Sequence, residues 1–227
     1  MLVVCAIMAI ITMVLLLRQS KFDSSTVMRS LAYSIALSVR QAQVYGTSVY
    51  NSGSASPAYA SAYGIDLSLL SATTSSYTLF ADLTNSGRYD PTNLSEAVKT
   101  FSLNNGYTIS EVCAIVTASA ADGSGGSRRC VGGVTVGGVS VDDTFNDGRI
   151  MTSLDIIFKR PNPDAVIVPL DSTGTILTSG GGLVAYSAGY IKIRSANGAT
   201  RSIRISTTGL VTVEPPCTQV NTTVTSC

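Results

Sequence analysis

MLVVCAIMAIITMVLLL, residues 1–17, contains no charged side chain, and Arg18 is the first. As an α-helix this run spans about 25 Å, a little short of the roughly 30 Å hydrocarbon core of a bilayer. A cleaved signal peptide would need a basic region before the run and a small-x-small site after it. Nothing precedes the run here, and it ends in LLLRQSK, with no small-x-small site. An ordinary single-pass anchor stays open as a reading. Further on, SLAYSIALSVRQAQVYG, residues 30–46, keeps the helical period but turns amphipathic. Met28, Leu31, Ile35, Val39 and Ala42 recur at spacings of three and four and so share one face. Arg29, Ser30, Tyr33, Arg40 and Gln41 take much of the remaining surface. No proline interrupts the pattern, and Gly46 stands where a C-terminal cap belongs. The period predicts one helix over residues 1–46, about 65–70 Å long. Its apolar half suits lipid. Its second half, through Met28, Leu31, Ile35 and Val39, offers a stripe to a folded domain.

Beyond Gly46 the composition changes, and residues 47–227 read as a β-rich domain. A loop rich in Ser, Ala and Gly is expected over 47–63. Strand-like runs follow at 77–82, 100–103, 107–116, 154–159, 165–168, 190–194, 201–205 and 210–213. Ile191 and Ile193 alternate with Tyr190, Lys192 and Arg194, as on a strand with one buried face. Asn197-Gly198 between two such runs is a hairpin signal. Thr208-Gly209 marks another turn, and Pro161-Asn162-Pro163-Asp164 a tight connection. The Gly-rich stretches 123–126, 131–139 and 179–182 read as mobile loops. The fold class expected is α+β: a long N-terminal helix packed on an antiparallel sheet.

Charged residues make up only 13% of the 227, against about 25% in an ordinary soluble domain. The net charge of +1 gives no global drive toward nucleic acid. Histidine is absent, which removes the commonest general base and metal ligand and excludes His-dependent triads. No catalytic residue, cofactor or metal site is assigned, and an enzyme is not expected. Cys5 lies in the apolar run and reads as a buried free thiol. Cys113, Cys130, Cys217 and Cys227 allow three connectivities; the local one, Cys113–Cys130 with Cys217–Cys227, is expected. Such bridges imply an oxidising compartment.

The apolar opening followed by SLAYSIALSVRQAQVYG resembles the start of type IV pilins and type II secretion pseudopilins, closest to the GspH/FimT-like branch, in which such a helix leads into a β-domain. FADLTNSGRYD (80–90), LDIIFKRPNPDA (154–165) and YIKIRSANGATRSIRISTTGLVTV (190–213) look like the same branch. That family's mature chain starts with an aromatic residue and Thr-Leu-x-Glu before the apolar run. This chain begins inside the run, so Met1 reads as a late start. The resemblance implies a pilin fold and a structural role. A prepilin peptidase and the pilus assembly machinery would process and assemble the subunit. It would sit in the bacterial inner membrane before assembly and in an extracellular filament of identical or related subunits afterwards. Leu2, Val3, Ile7, Ile10, Ile11, Val14 and Leu15 would then form the filament core. The alternative is a membrane-anchored extracellular binding module, serving adhesion or DNA uptake, that does not build the filament body.

Other constellations have plainer readings. Asp82 to Asp90 resembles a loose calcium loop, but Thr84 and Ser86 replace the usual carboxylates or amides and Asn93 stands where a bidentate Glu belongs; a turn fits better. Lys192, Arg194, Arg201 and Arg204 cluster on one hairpin. DNA-binding minor pilins related to this branch carry a Gly-Arg-x-Arg motif, but the matching stretch here is Gly209-Leu210-Val211-Thr212. A solvated strand face is the better reading. Arg128-Arg129 reads as an exposed pair in a disulfide loop, and Asp142, Asp143 and Asp147 as turn residues.

Overall fold

The computed structural model describes residues 2–48, 62–69, 74–116, 128–132, 150–177 and 186–215, with the backbone alone at 2, 14–24, 116, 128 and 129. One helix, α1 (Leu2–Thr47), comes first. Ten strands follow: β1 (Ala62–Ser68), β2 (Ser76–Asp82), β3 (Ala97–Ser102), β4 (Thr108–Val116), β5 (Arg128–Gly132), β6 (Ser153–Lys159), β7 (Ala165–Leu170), β8 (Tyr186–Arg194), β9 (Thr200–Ser206) and β10 (Val211–Glu214). They form two five-stranded antiparallel sheets, β3-β2-β1-β6-β7 and β10-β9-β8-β4-β5.

The α+β expectation of a helix laid on one antiparallel sheet is therefore corrected. The described chain is mostly antiparallel β, divided into two sheets. The reason lies in β1, where the sequence reading assigned no strand. It is the shared neighbour of β2 and β6, and without it the strand runs have no visible division. The membrane anchor expected of residues 1–17 also finds no support: among the described residues, no helix is long and apolar enough to cross a membrane.

One core joins both sheets to the second half of α1. Ile65, Leu67, Leu79, Leu154, Ile156 and Phe158 enter it from the first sheet, and Val112, Ile191, Ile193, Ile203 and Ile205 from the second. Met28, Ala32, Ile35, Val39 and Ala42 enter it from α1, with Leu31 half-buried beside them. Polar groups pin the same helix. The Ser38 hydroxyl shares a 2.9 Å hydrogen bond with the Tyr77 hydroxyl. Gln43 Nε2 donates to the carbonyls of Pro163 at 2.9 Å and Gly209 at 3.2 Å, gripping the β6–β7 and β9–β10 turns together.

The last helical turn docks through Gly46. A Cβ there would run into the carbonyl oxygen of Phe158 and come within 2.8 Å of the Phe158 Cβ. Backbone cannot swing aside as a flexible side chain can. Gly46→Ala is expected to cost about 1–3 kcal/mol, the usual range for overpacking. Urea unfolding measures it, and an unchanged midpoint would show that the turn does not sit on β6.

A second, smaller cluster lies on the opposite face of the first sheet. Ala62, Phe80, Ile157, Val168 and Leu170 are buried there beneath Tyr89 and Ile176. The segment of residues 83–96 covers this face. It is tied down by its own carboxylates: Asp82 accepts from the backbone N–H groups of Ser86 and Gly87, both at 2.9 Å. Glu96 accepts from the Asp90 N–H at 3.0 Å and the Thr84 hydroxyl at 3.1 Å. Asn85 and Gly87 have φ of 57° and 71°, as a tight turn requires. Asp82 thus closes a turn.

Candidate assembly surface on the N-terminal helix

The β-sheets cover only the second half of α1. The first half carries its apolar side chains in the open: Val3 is 72% exposed, Ile7 52%, Ile10 64% and Ile11 53%. Val4, Met8 and Met13 are exposed around them. Leu2, Val14 and Leu15 belong to the same helix, but their side chains lie outside the described set. Cys5 is exposed and free, which corrects the expectation of a buried thiol; among the described residues no other element covers that part of the helix.

Thr12 is the one hydroxyl among residues 2–13, and it turns inward on its own helix. It donates to the Met8 carbonyl at 2.9 Å and reaches the Ala9 carbonyl at 3.0 Å. That i−4 bonding satisfies the hydroxyl without an outside partner. This surface therefore asks its surroundings for apolar contact and for no hydrogen bond.

A second apolar stripe was missed in the sequence. Tyr33, Leu37 and Val44 are exposed on the side of α1 opposite the buried Met28, Ile35 and Val39. At 100° per residue the three fall within about 40° of one another. The signal was available in the spacing, but the polar neighbours Arg29 and Arg40 led that face to be read as solvated.

The disulfide Cys113–Cys130 joins β4 to β5, at directly paired positions of the ladder. Cys217 and Cys227 lie outside the described residues, as do Asp142, Asp143, Asp147 and most of the Gly-rich stretches. Arg128 and Arg129 belong to β5, opposite Ile115 and Ala114, where a loop was expected. Replacing both Cys113 and Cys130 by Ala should lower stability by about 2–4 kcal/mol, as chain entropy predicts for a loop of this size. Denaturant titration of the oxidised protein against the double variant checks this; equal midpoints would refute it.

On the basic hairpin, Lys192 makes a 2.8 Å salt bridge with Glu111, and Arg204 lies over the Tyr190 ring at 5.9 Å. Two of the four cations are thus engaged within the sheet. Glu111, Cys113 and Cys130 are the single cluster of three potential metal ligands among the described residues, and the disulfide consumes both thiols.

One pair of acids went unrecognised in the sequence. Asp66 on β1 and Asp155 on β6 are direct partners across the ladder, on the face beneath residues 83–96. Asp155 is fully buried and Asp66 nearly so. Asp155 Oδ2 accepts the Tyr89 N–H at 2.6 Å. Burial pushes the Asp66 carboxyl up to about 6, against a smaller opposing effect of its hydrogen bond with Asp155. Burial, then the Asp66 charge, pushes Asp155 well above the usual carboxylate range; the Tyr89 N–H pulls the other way.

Comparison with family models, with curated proteins and with solved structures returned no match to this chain.

Proposed function

We propose that this protein is a structural subunit of a type IV pilus or pilus-like filament. In this reading, copies of the chain, identical or related, pack through the apolar first half of α1, while the β-sheets coat the outside. The observation that carries the reading is the exposure of Val3, Ile7, Ile10 and Ile11 on a helix whose other half is locked into the domain core. Such a surface does not suit a monomer in water, since exposed apolar patches of this kind mark association sites. The role is structural, and no catalysis is assigned to it.

The Cys113–Cys130 bridge supports a place outside the reducing cytoplasm. The reading sets the subunit at the inner membrane before assembly and on the cell surface afterwards. It rests there on the uncharged sequence of residues 1–17. A prepilin peptidase and a pilus assembly machine are its expected partners. Electron microscopy of material sheared from cells expressing the full gene product tests the proposal. Filaments labelled by an antibody to the β-domain are expected. A protein that stays monodisperse and membrane-bound would overturn it in favour of an anchored binding module.

A further inference from the structure

We propose that Asp66 and Asp155 hold a single proton between them, and that this proton latches residues 83–96 over the outer face of the first sheet. The two carboxyls face each other from adjacent strands, both out of water. Two ionised carboxylates so placed would each lose hydration and repel the other. Asp155 Oδ1 is buried, and no N–H or hydroxyl in the described structure donates to it. Its other oxygen, Oδ2, already accepts the Tyr89 N–H. A proton on Oδ1 resolves this: Asp155 donates to Asp66 through Oδ1 and accepts Tyr89 through Oδ2. One carboxyl then carries the charge and the other the proton, and no oxygen of Asp155 is left without a partner.

The surroundings favour a proton over a stronger cation. From the covering segment, Arg88 and the Tyr89 N–H act on Asp155, while Asp90 and Glu96 act on Tyr89 rather than on the pair. Glu96 is occupied by Asp90 and Thr84, and Asp90 by Thr92, so neither is turned toward it. β2 presents Thr78 beside Asp66, and β7 presents Val168 beside Asp155. Among the described residues Arg88 is the one cation that acts on Asp155, and of the influences there its charge is the weakest. It lies against the turn at Gly174, where an added Cβ would come within 3.0 Å of its Nη1.

The latch has a direction. The closed state binds the proton more tightly than the open state does, so closure weakens as pH rises. The window begins near the ordinary aspartate value of 3.8 and runs past about 6. Within it the open population should grow about tenfold per pH unit, one proton being released on opening. Because Tyr89 is both the hydrogen-bonded residue and the ring packed at a tilt against Phe80, release of the proton loosens the cover at its centre.

Hydrogen exchange of the full chain, followed at the Tyr89 amide from about pH 4 to about pH 8 with intrinsic rates divided out, tests the latch. The opening constant should rise on the order of 100-fold across the range, while Ile203 in the second sheet stays level. D66N/D155N is isosteric and neutral at every pH, and its Tyr89 profile should be flat. Should that variant fail to fold, carboxyl carbon titration of the native protein decides. One aspartate titrating above the ordinary range supports the latch, and both titrating near 4 overturns it. Saturable protection of Tyr89 by calcium or magnesium at neutral pH, lost in D66N/D155N, would also overturn it, by making the pair a cation site.

Discussion

Ile35→Asp should unfold the domain or cost more than about 4 kcal/mol, well outside the range of ordinary point substitutions. Ile35 is fully buried at the centre of the α1 stripe, among residues of both sheets. The substitution removes the apolar packing of an isoleucine, about 2–5 kcal/mol even for truncation to Ala. It then buries a carboxylate among apolar side chains of the described core, or a protonated carboxyl at a further cost. Leu37 supplies the control. It lies two residues along the same helix but is exposed, so Leu37→Asp should stay within about 0.5 kcal/mol of the native protein in a monomeric preparation. The pair separates loss of docking from loss of helix propensity, since both variants introduce the same residue. Thermal unfolding in detergent reads the difference, and an Ile35→Asp protein as stable as Leu37→Asp would show that the stripe is not what holds the helix.

That stripe was visible in the sequence because helical docking is a local, periodic signal. The hairpin at Asn197-Gly198 was visible for a similar reason. Gly198 takes φ of 82°, the flanking runs pair as β8 and β9, and Ile191, Ile193, Ile203 and Ile205 all point into the core. Turn chemistry and alternation act over a few residues, so a few residues encode them.

β1 and β5 were not legible, and for long-range reasons. AYGIDLS contains a glycine and an aspartate where a strand with one solvated face should show neither as a buried residue. Both lie on the sheet face that residues 83–96 cover. Gly64 is needed because the Phe80 ring stands where a Cβ would go, 2.7 Å from its Cζ. Asp66 is tolerated because Asp155 is its partner across the ladder. Neither fact can be read from the strand itself. RRCVG resembles a charged loop, yet it lies as a strand along β4 with Cys130 bridged to Cys113. The acid pair was missed on the same account: Asp66 and Asp155 are far apart in sequence, and only strand pairing brings them together.

Ile7→Asp and Ile11→Asp are each expected to abolish filaments while leaving the β-domain folded. Both side chains are about half exposed on the part of α1 that the sheets do not reach, so the domain loses no contact when they change. In a filament the position is reversed. Neighbouring helices would bury these side chains, each contributing about 1.5–3 kcal/mol when fully enclosed. An aspartate there forfeits that contribution and adds the cost of desolvating a carboxylate in an apolar seam, at every subunit along the fibre. A linear assembly multiplies a defect that a monomer would tolerate. Leu94→Asp is the matched control, because Leu94 is 83% exposed on the covering segment of the domain, away from the helix. Filaments should persist in that variant. Raised salt should also leave preformed filaments intact, since exposed charge pairs between domains contribute only about 0–1 kcal/mol each. Negative-stain microscopy of sheared material, with unfolding curves of the same variants, separates assembly from folding. Filaments that survive either aspartate would mean that the apolar half of α1 is not the seam. Filaments that dissolve in salt would place the cohesion in the charges of the β-domains instead.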